Sequence, residues 1–219
     1  IMTERSINYH FGTFDVPFAK MRAVGKESEH TVNDVFLAAV SDGLGVYHKR
    51  LGRPVTRLRI NMPVSTRTEG SGSGNAVNIA RFEIPISIRE TRNLMDQISE
   101  TVANIRKEPA LAFANELGEI SRFIPTDILS AAAQASDVTA SNVPGIPVPV
   151  WIAGARIERM YPLVATIGAA VNITMLTYNG TASVGVSSDD AAVADPDVLL
   201  EALRQGFSDA IGEHVSATT

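Results

Sequence analysis

The 219 residues predict an α/β fold, with helical stretches between sheet segments. Three observations carry that expectation: some stretches repeat apolar residues at helical spacing, others alternate apolar with polar residues, and the two kinds interleave along the chain. With 45% hydrophobic and 20% charged residues, the chain can bury a core of ordinary size and lacks the composition of a disordered segment.

The first clear helix covers residues 31–51. Val32, Phe36, Ala39, Val40, Leu44 and Tyr47 fall at helical spacing, Thr31 stands as N-cap with Asp34 three residues on, and Gly52 follows the end. Leu58, Ile60 and Met62 then alternate with polar residues and stop at Pro63, which predicts a strand entering a loop. The Gly/Ser-rich stretch 69–74 reads as a flexible loop, and a second strand over about 76–86 follows it. Leu94, Ile98, Val102 and Ile105 predict a helix; two Ala-rich segments, near 110–123 and 126–134, separated by Pro125, predict two more.

Strand character returns over 137–142, crosses a Pro-rich turn at 144–149 and continues as a strand over 150–157. Asn179-Gly180 is a strong hairpin signal. A two-residue turn there pairs Tyr178 with Thr181, Met175 with Val184 and Ile173 with Val186, so one hairpin face is apolar throughout. The other face, with Asn172, Thr174, Leu176, Tyr178, Ser183 and Gly185, suits either plain packing or the lining of a substrate channel. Asp195-Pro196-Asp197 caps a last helix to about His214, with Leu199, Leu203, Phe207 and Ile211 on its inner stripe.

Composition removes several function classes. Lys+Arg 19 against Asp+Glu 24 gives a net charge of -5, and no basic run exceeds two residues, which argues against nucleic acid as a partner. Absence of cysteine removes disulfides, thiolate catalysis and Cys-type zinc sites together, and leaves cytoplasm as the default compartment. The start, Ile1-Met2-Thr3-Glu4-Arg5, reads as that of a fragment or a processed chain, and no signal-peptide pattern follows it. Residues 160–188 carry no charge, but Pro162, Gly168, Asn172 and Asn179-Gly180 interrupt the run, so buried strands explain it better than a membrane span.

Local motifs for common chemistry are missing. His10, His30, His48 and His214 are far apart in sequence and predict no metal site; His48, beside Lys49-Arg50 at a helix end, reads as solvent-facing. No nucleophile elbow and no phosphate-cradling glycine motif is found. Two segments remain. In the first, Asn33 and Asp34 share an opening helical turn, where acceptors ordinarily cap backbone N–H groups. In the second, Thr139-Ala140-Ser141-Asn142-Val143-Pro144-Gly145, Thr139 and Ser141 share a strand face, either as tolerated sheet residues or as donors to a developing oxyanion.

Those segments, with Met62-Pro63-Val64-Ser65-Thr66-Arg67, Gly74-Asn75, Trp151-Ile152-Ala153-Gly154-Ala155, Tyr161-Pro162-Leu163 and Asn172-Ile173-Thr174, resemble the C-terminal portion of the bacterial wax ester synthase/diacylglycerol acyltransferase family over essentially the whole chain. The resemblance implies a chloramphenicol-acetyltransferase-like half, a mixed sheet backed by helices. In such enzymes two similar α/β halves enclose a tunnel where acyl-CoA meets an acceptor alcohol, and the base is the second histidine of HHxxxDG. That motif is absent here: the nearest trace, Ser41-Asp42-Gly43, would need histidines where Leu37 and Ala38 stand.

On this resemblance residues 1–219 form the C-terminal domain of a two-domain O-acyltransferase, with the catalytic histidine on an N-terminal half that is its partner. It makes triacylglycerol or wax ester from acyl-CoA and diacylglycerol or a long-chain alcohol. No permanently bound cofactor or metal is expected, with acyl-CoA as substrate and a peripheral contact with the inner membrane or lipid droplets. Asn33 and Asp34 are expected to order the site near the missing histidine, Thr139, Ser141 and Asn142 to form an oxyanion side or tunnel floor, and Arg67 and Asn75 to meet CoA phosphates. Two other readings stay open: a non-catalytic lipid-binding or scaffold domain, and a condensation-type amide-forming domain.

Overall fold

The computed structural model describes residues 2–65, 77–87, 90–106, 136–166 and 168–216. Six strands form one mixed sheet: β1 (Tyr9–Pro17), β2 (Arg57–Ser65), β3 (Val77–Pro85), β4 (Val138–Val143), β7 (Val171–Tyr178) and β8 (Thr181–Asp189). A small hairpin, β5 (Trp151–Ile152) with β6 (Ala155–Arg156), stands apart from it. The described helices are α1 (Phe18–Ser28), α2 (Val32–Arg50), α3 (Thr91–Arg106) and α4 (Pro196–Ile211).

The strand order is β1-β8-β7-β4-β2-β3. β7, β4 and β2 run parallel to one another, and the flanking pairs are antiparallel. β2 meets β4 at only two register pairs, Ile60 with Val138 and Asn61 with Thr139. That seam is reinforced by Asp137, whose N–H donates to the Arg59 carbonyl while its carboxylate accepts from the Arg59 N–H and guanidinium.

Alternation sorts the sheet into two faces. Phe14, Val16, Ile60, Ile84, Val138, Ala140, Ile173, Met175, Val184 and Val186 point to one side and share a single apolar core with Phe36, Leu37, Val40 and Leu44 of α2 and Leu199, Leu203 and Phe207 of α4. The two long helices cross backbone to backbone. A carbon added at Gly206 would run into the backbone of Ala39 and Gly43, and one at Gly43 would lie 2.7 Å from Leu203 Cα and 2.9 Å from the Ala202 carbonyl. Gly43, the glycine of the Ser41-Asp42-Gly43 trace, therefore serves close packing.

Most expected elements are found. Thr31 and Asp34 close a reciprocal capping box on α2, and Asp195 caps α4 by accepting from the Val198 N–H at 3.0 Å. Asn179-Gly180, at φ 44° and 85°, joins β7 to β8 in the expected register. Three expectations are corrected. β2 runs through Pro63 to Ser65, which is tolerated because its β4 side is paired only at Ile60 and Asn61. Residues 150–157 are not one strand but a tight hairpin, because Ala153 and Gly154 (φ 49° and 85°) reverse the chain. His48 is buried, 2% exposed, rather than solvent-facing. The Ala-rich segments at 110–134 and the loop at 69–74 lie outside the described residues.

Candidate functional site

Open α/β sheets bind ligands at the carboxyl ends of their parallel strands, where helix N-termini also gather. Here α2 begins beside that end of β2: the Asn33 side-chain amide donates to the Met62 sulfur at 3.8 Å. Asn33 is half-buried. Asp34 is buried, and its carboxylate is taken up by capping, accepting from the Thr31 N–H at 2.9 Å and the Thr31 hydroxyl at 2.7 Å. Asp34 therefore orders the turn that presents Asn33.

β4 distributes its three candidate residues between the two sheet faces. Thr139 and Ser141 stand in register with Asn172 and Thr174, on the face away from the helices, while Asn142 is in register with Met175 on the helical side. Parity within β4 thus puts Asn142 on the side to which Met62 and the start of α2 belong, and separates it from the two hydroxyls. All three are half-buried. Arg67 and Asn75 lie outside the described residues.

Beyond β4 the chain crosses the second face of the sheet as a strap, residues 144–166, fastened at successive points. The Gly145 N–H donates to the Thr177 hydroxyl at 3.0 Å, and the Asn179 N–H donates to the Ile146 carbonyl at 3.0 Å. Asp15 accepts from Arg159 Nε at 2.9 Å, the Tyr161 hydroxyl at 3.2 Å and the Ser183 hydroxyl at 2.7 Å. Asn172 donates to the Ala165 carbonyl at 3.3 Å and accepts from the Thr174 hydroxyl at 2.7 Å. The Pro162 carbonyl fills the space over Gly185 where a side chain would stand.

Sequence reasoning named Tyr178 only as part of a mixed lining, and Asn172 and Thr174 both there and among the landmarks of the resemblance; their i, i+2 spacing was the available signal. It missed Asp15, whose partner Arg159 is 144 positions away, along with β1 and α1 themselves.

A hollow of about 790 Å³ between Asp42, Val46, Lys49, Pro54, Ile86 and Asp209 is lined by none of the candidate residues. A second, about 580 Å³, lies beside Asp15, Arg159, Tyr161 and His214. Among the described residues there is no cluster of His, Asp and Glu able to hold a metal ion, and no helix long and apolar enough to cross a membrane.

A family model described as the WS/DGAT C-terminal domain matches residues 73–210, more than half of the chain. This chain belongs to the WS/DGAT C-terminal domain family. A Mycobacterium tuberculosis protein named diacylglycerol O-acyltransferase is 28% identical to this WS/DGAT C-terminal domain over 213 residues, 95% of the chain and 43% of the relative. A second from that organism, diacylglycerol O-acyltransferase tgs1, is 28% identical over 214 residues, covering 92% and 45%. The wax ester synthase/diacylglycerol acyltransferase from Marinobacter aquaeolei VT8 has the same fold, with a TM-score of 0.71 at 23% identity over 95% of this chain and 50% of that one. A condensation-domain structure from the enacyloxin polyketide synthase matches in fold at TM-score 0.61 and 12% identity, covering 96% and 42%. The WS/DGAT C-terminal domain described here spans about half the length of the curated relatives it matches. Thr139, Ser141 and Asn142 fall inside the matched family region; Asn33, Asp34 and Arg67 precede it.

Proposed function

We propose that this chain is the C-terminal half of an O-acyltransferase that moves a fatty acyl group from acyl-CoA to diacylglycerol or a long-chain alcohol, forming triacylglycerol or wax ester. The observation that carries the reading is the family match over residues 73–210. The general base is then a histidine on the other half. It takes the proton of the acceptor hydroxyl, the alkoxide attacks the thioester carbonyl, the tetrahedral intermediate expels CoA, and the proton passes to the leaving thiolate.

This half supplies a wall of the tunnel and neutral donors. Asn33 and Asn142, amides associated with the carboxyl end of the parallel strands, are the proposed hydrogen-bond donors near the reacting carbonyl; Thr139 and Ser141 line the opposite sheet face. One well-placed donor to an oxyanion contributes roughly 3 kcal/mol. Arg67 and Asn75 are the proposed contacts with CoA phosphates. Reaching an insoluble acceptor then implies a transient contact with a lipid surface.

The test is ester formation from labelled acyl-CoA and diacylglycerol or hexadecanol by the full-length protein that carries these residues. Asn142→Ala is expected to lower kcat roughly a hundredfold with little change in KM. A folded full-length protein that makes no ester with either acceptor, yet binds lipid, would instead be the lipid-binding domain of the alternative reading.

A further inference from the structure

The turn that leads into α2 carries a histidine that the proposed chemistry does not use. α1 ends on Glu29 in the left-handed region, at φ 62°, a conformation that a residue other than glycine keeps only where its surroundings hold it. The His30 N–H then donates to the Gly25 carbonyl at 2.7 Å, and a carbon added at Gly25 would lie 2.9 Å from the His30 carbonyl. Thr31 follows as the cap of α2, and Asn33 lies in the first turn behind it. The path from His30 to the Asn33 amide is therefore short and tightly bent.

The His30 ring is held from two sides. Its Nδ1 lies 2.6 Å from the Ser28 carbonyl and its Nε2 3.1 Å from the Asp96 carboxylate. Both partners are acceptors, so a ring that serves both carries a proton on each nitrogen, whereas either neutral tautomer serves only one. The ring is 8% exposed and the Asp96 side chain 59%, so the imidazole sits inside and the carboxylate covers it. Beside Asp96, the buried Met95 has its sulfur 4.0 Å from the Ser28 hydroxyl. Two successive residues of α3 thus grip the α1–α2 turn. The other charged groups of this corner are Lys26, Glu27 and Glu29 at the end of α1 and Arg92 and Glu100 on α3, all exposed, while the Asp34 carboxylate is taken up by Thr31.

Across the same turn, Asn33 meets β2 through one weak contact, amide to Met62 sulfur at 3.8 Å. A side chain held so loosely takes its direction from the backbone that carries it. We propose that His30 is a positioning residue: gripped by Asp96 of α3, it fixes the opening turn of α2 and so aims the Asn33 amide. The inference rests on the proposed reading of Asn33 as a donor near the reacting carbonyl. Misplacing such a group by about an ångström costs up to roughly a hundredfold in rate, so loosening the turn is felt in kcat although His30 itself meets no substrate.

The experiment is a kinetic cycle on the full-length protein, with labelled acyl-CoA and diacylglycerol or hexadecanol, joined to the side-chain amide signal of Asn33 in asparagine-labelled protein. His30→Ala should lower kcat roughly tenfold with KM unchanged. Asp96→Ala, at an exposed carboxylate, should do the same, and it carries the test if His30→Ala fails to fold. Asp96→Asn keeps an acceptor for the ring and should recover most of the loss. In an Asn33→Ala background, His30→Ala or Asp96→Ala should change kcat no further, because the amide they aim is gone; a merely structural loss would add to the first. The Asn33 signal should shift in Asp96→Ala and stay in place in Asp96→Asn.

Full activity in Asp96→Ala, a tenfold drop that persists without Asn33, or an Asn33 signal indifferent to Asp96 overturns the inference. A full-length protein that makes no ester even without substitutions removes the proposed reaction instead. The Asn33 signal then decides the clamp by itself: moved in Asp96→Ala, His30 positions the turn; unmoved, it does not.

Discussion

The two faces of the sheet are held by different physics. On the helical face, Phe14, Phe36 and Phe207 stack around a dry core, and α2 and α4 touch through Gly43 and Gly206 with no room for an added carbon. On the strap face the contacts are mainly hydrogen bonds at Asp15, Asn172 and Tyr178. Apolar burial is lost only by unfolding, whereas a hydrogen bond can be exchanged for one to water once the strap lifts. The first face should therefore open only with the whole domain, and the second by itself.

The largest expected effect attacks the dry face. Gly206→Val should cost about 3 kcal/mol or more, read as a lowered urea midpoint, because the new side chain meets helix backbone that cannot step aside. An unchanged midpoint would mean that the crossing does not need its glycines. On the strap face, Gly145→Val places a side chain against the backbone of Thr177. Global stability should fall by only about 1 kcal/mol, while amide exchange at Val150 and Ile157 quickens by roughly tenfold or more. If both quantities fell together, the strap would be part of the cooperative core and the contrast between faces would fail.

Tyr178→Phe removes one oxygen and leaves two backbone groups without their partner. About 1 kcal/mol of local opening should result, visible as stronger acrylamide quenching of Trp151. The smallest effect concerns pH. Burial holds the His48 imidazole below its ordinary range; its Nδ1 lies 3.3 Å from the Arg53 carbonyl, and its Nε2 has no partner. The unfolded chain therefore takes up a proton more readily than the folded one. Stability should be full above the unfolded-state value of about 6.5 and decline as the pH falls below it. His48→Asn, which keeps a donor for Arg53, should flatten that decline in acid urea titrations.

Much of the fold was legible because local signals agreed with it. Thr31 and Asp34 with the apolar stripe behind them specify α2, and Asn179-Gly180 with its alternation specifies both the β7–β8 turn and its register. β1 was not legible: Phe14 and Val16 are buried, but Phe11 beside Gly12 breaks the pattern, and its partner β8 is nearly a chain length away. His48 was misjudged because Lys49 and Arg50 advertise a solvent-facing turn, while burial depends on which side of the helix meets its neighbours. The candidate residues were found by motif, but their sorting onto opposite faces came from the register of β4 with β7. The strap was least visible, since each of its fasteners joins residues that no local pattern relates.

The pairing of β1 with β8 also bears on how the chain is made. β1 lies near the amino end, yet it pairs only with β8, through contacts such as Asp15 to Ser183, 168 positions apart. Just ahead of it, Arg5 reaches the carbonyls of Ser136 and Gly168, across 131 and 163 positions. None of these partners exists when β1 leaves the ribosome. The strand must wait through the synthesis of most of this domain with Phe14 and Val16 uncovered, and loop closure of that length makes its docking a late, slow event. Within this domain an early segment is thus among the last to find its place, and until then its edge is open to chaperones or to another nascent copy.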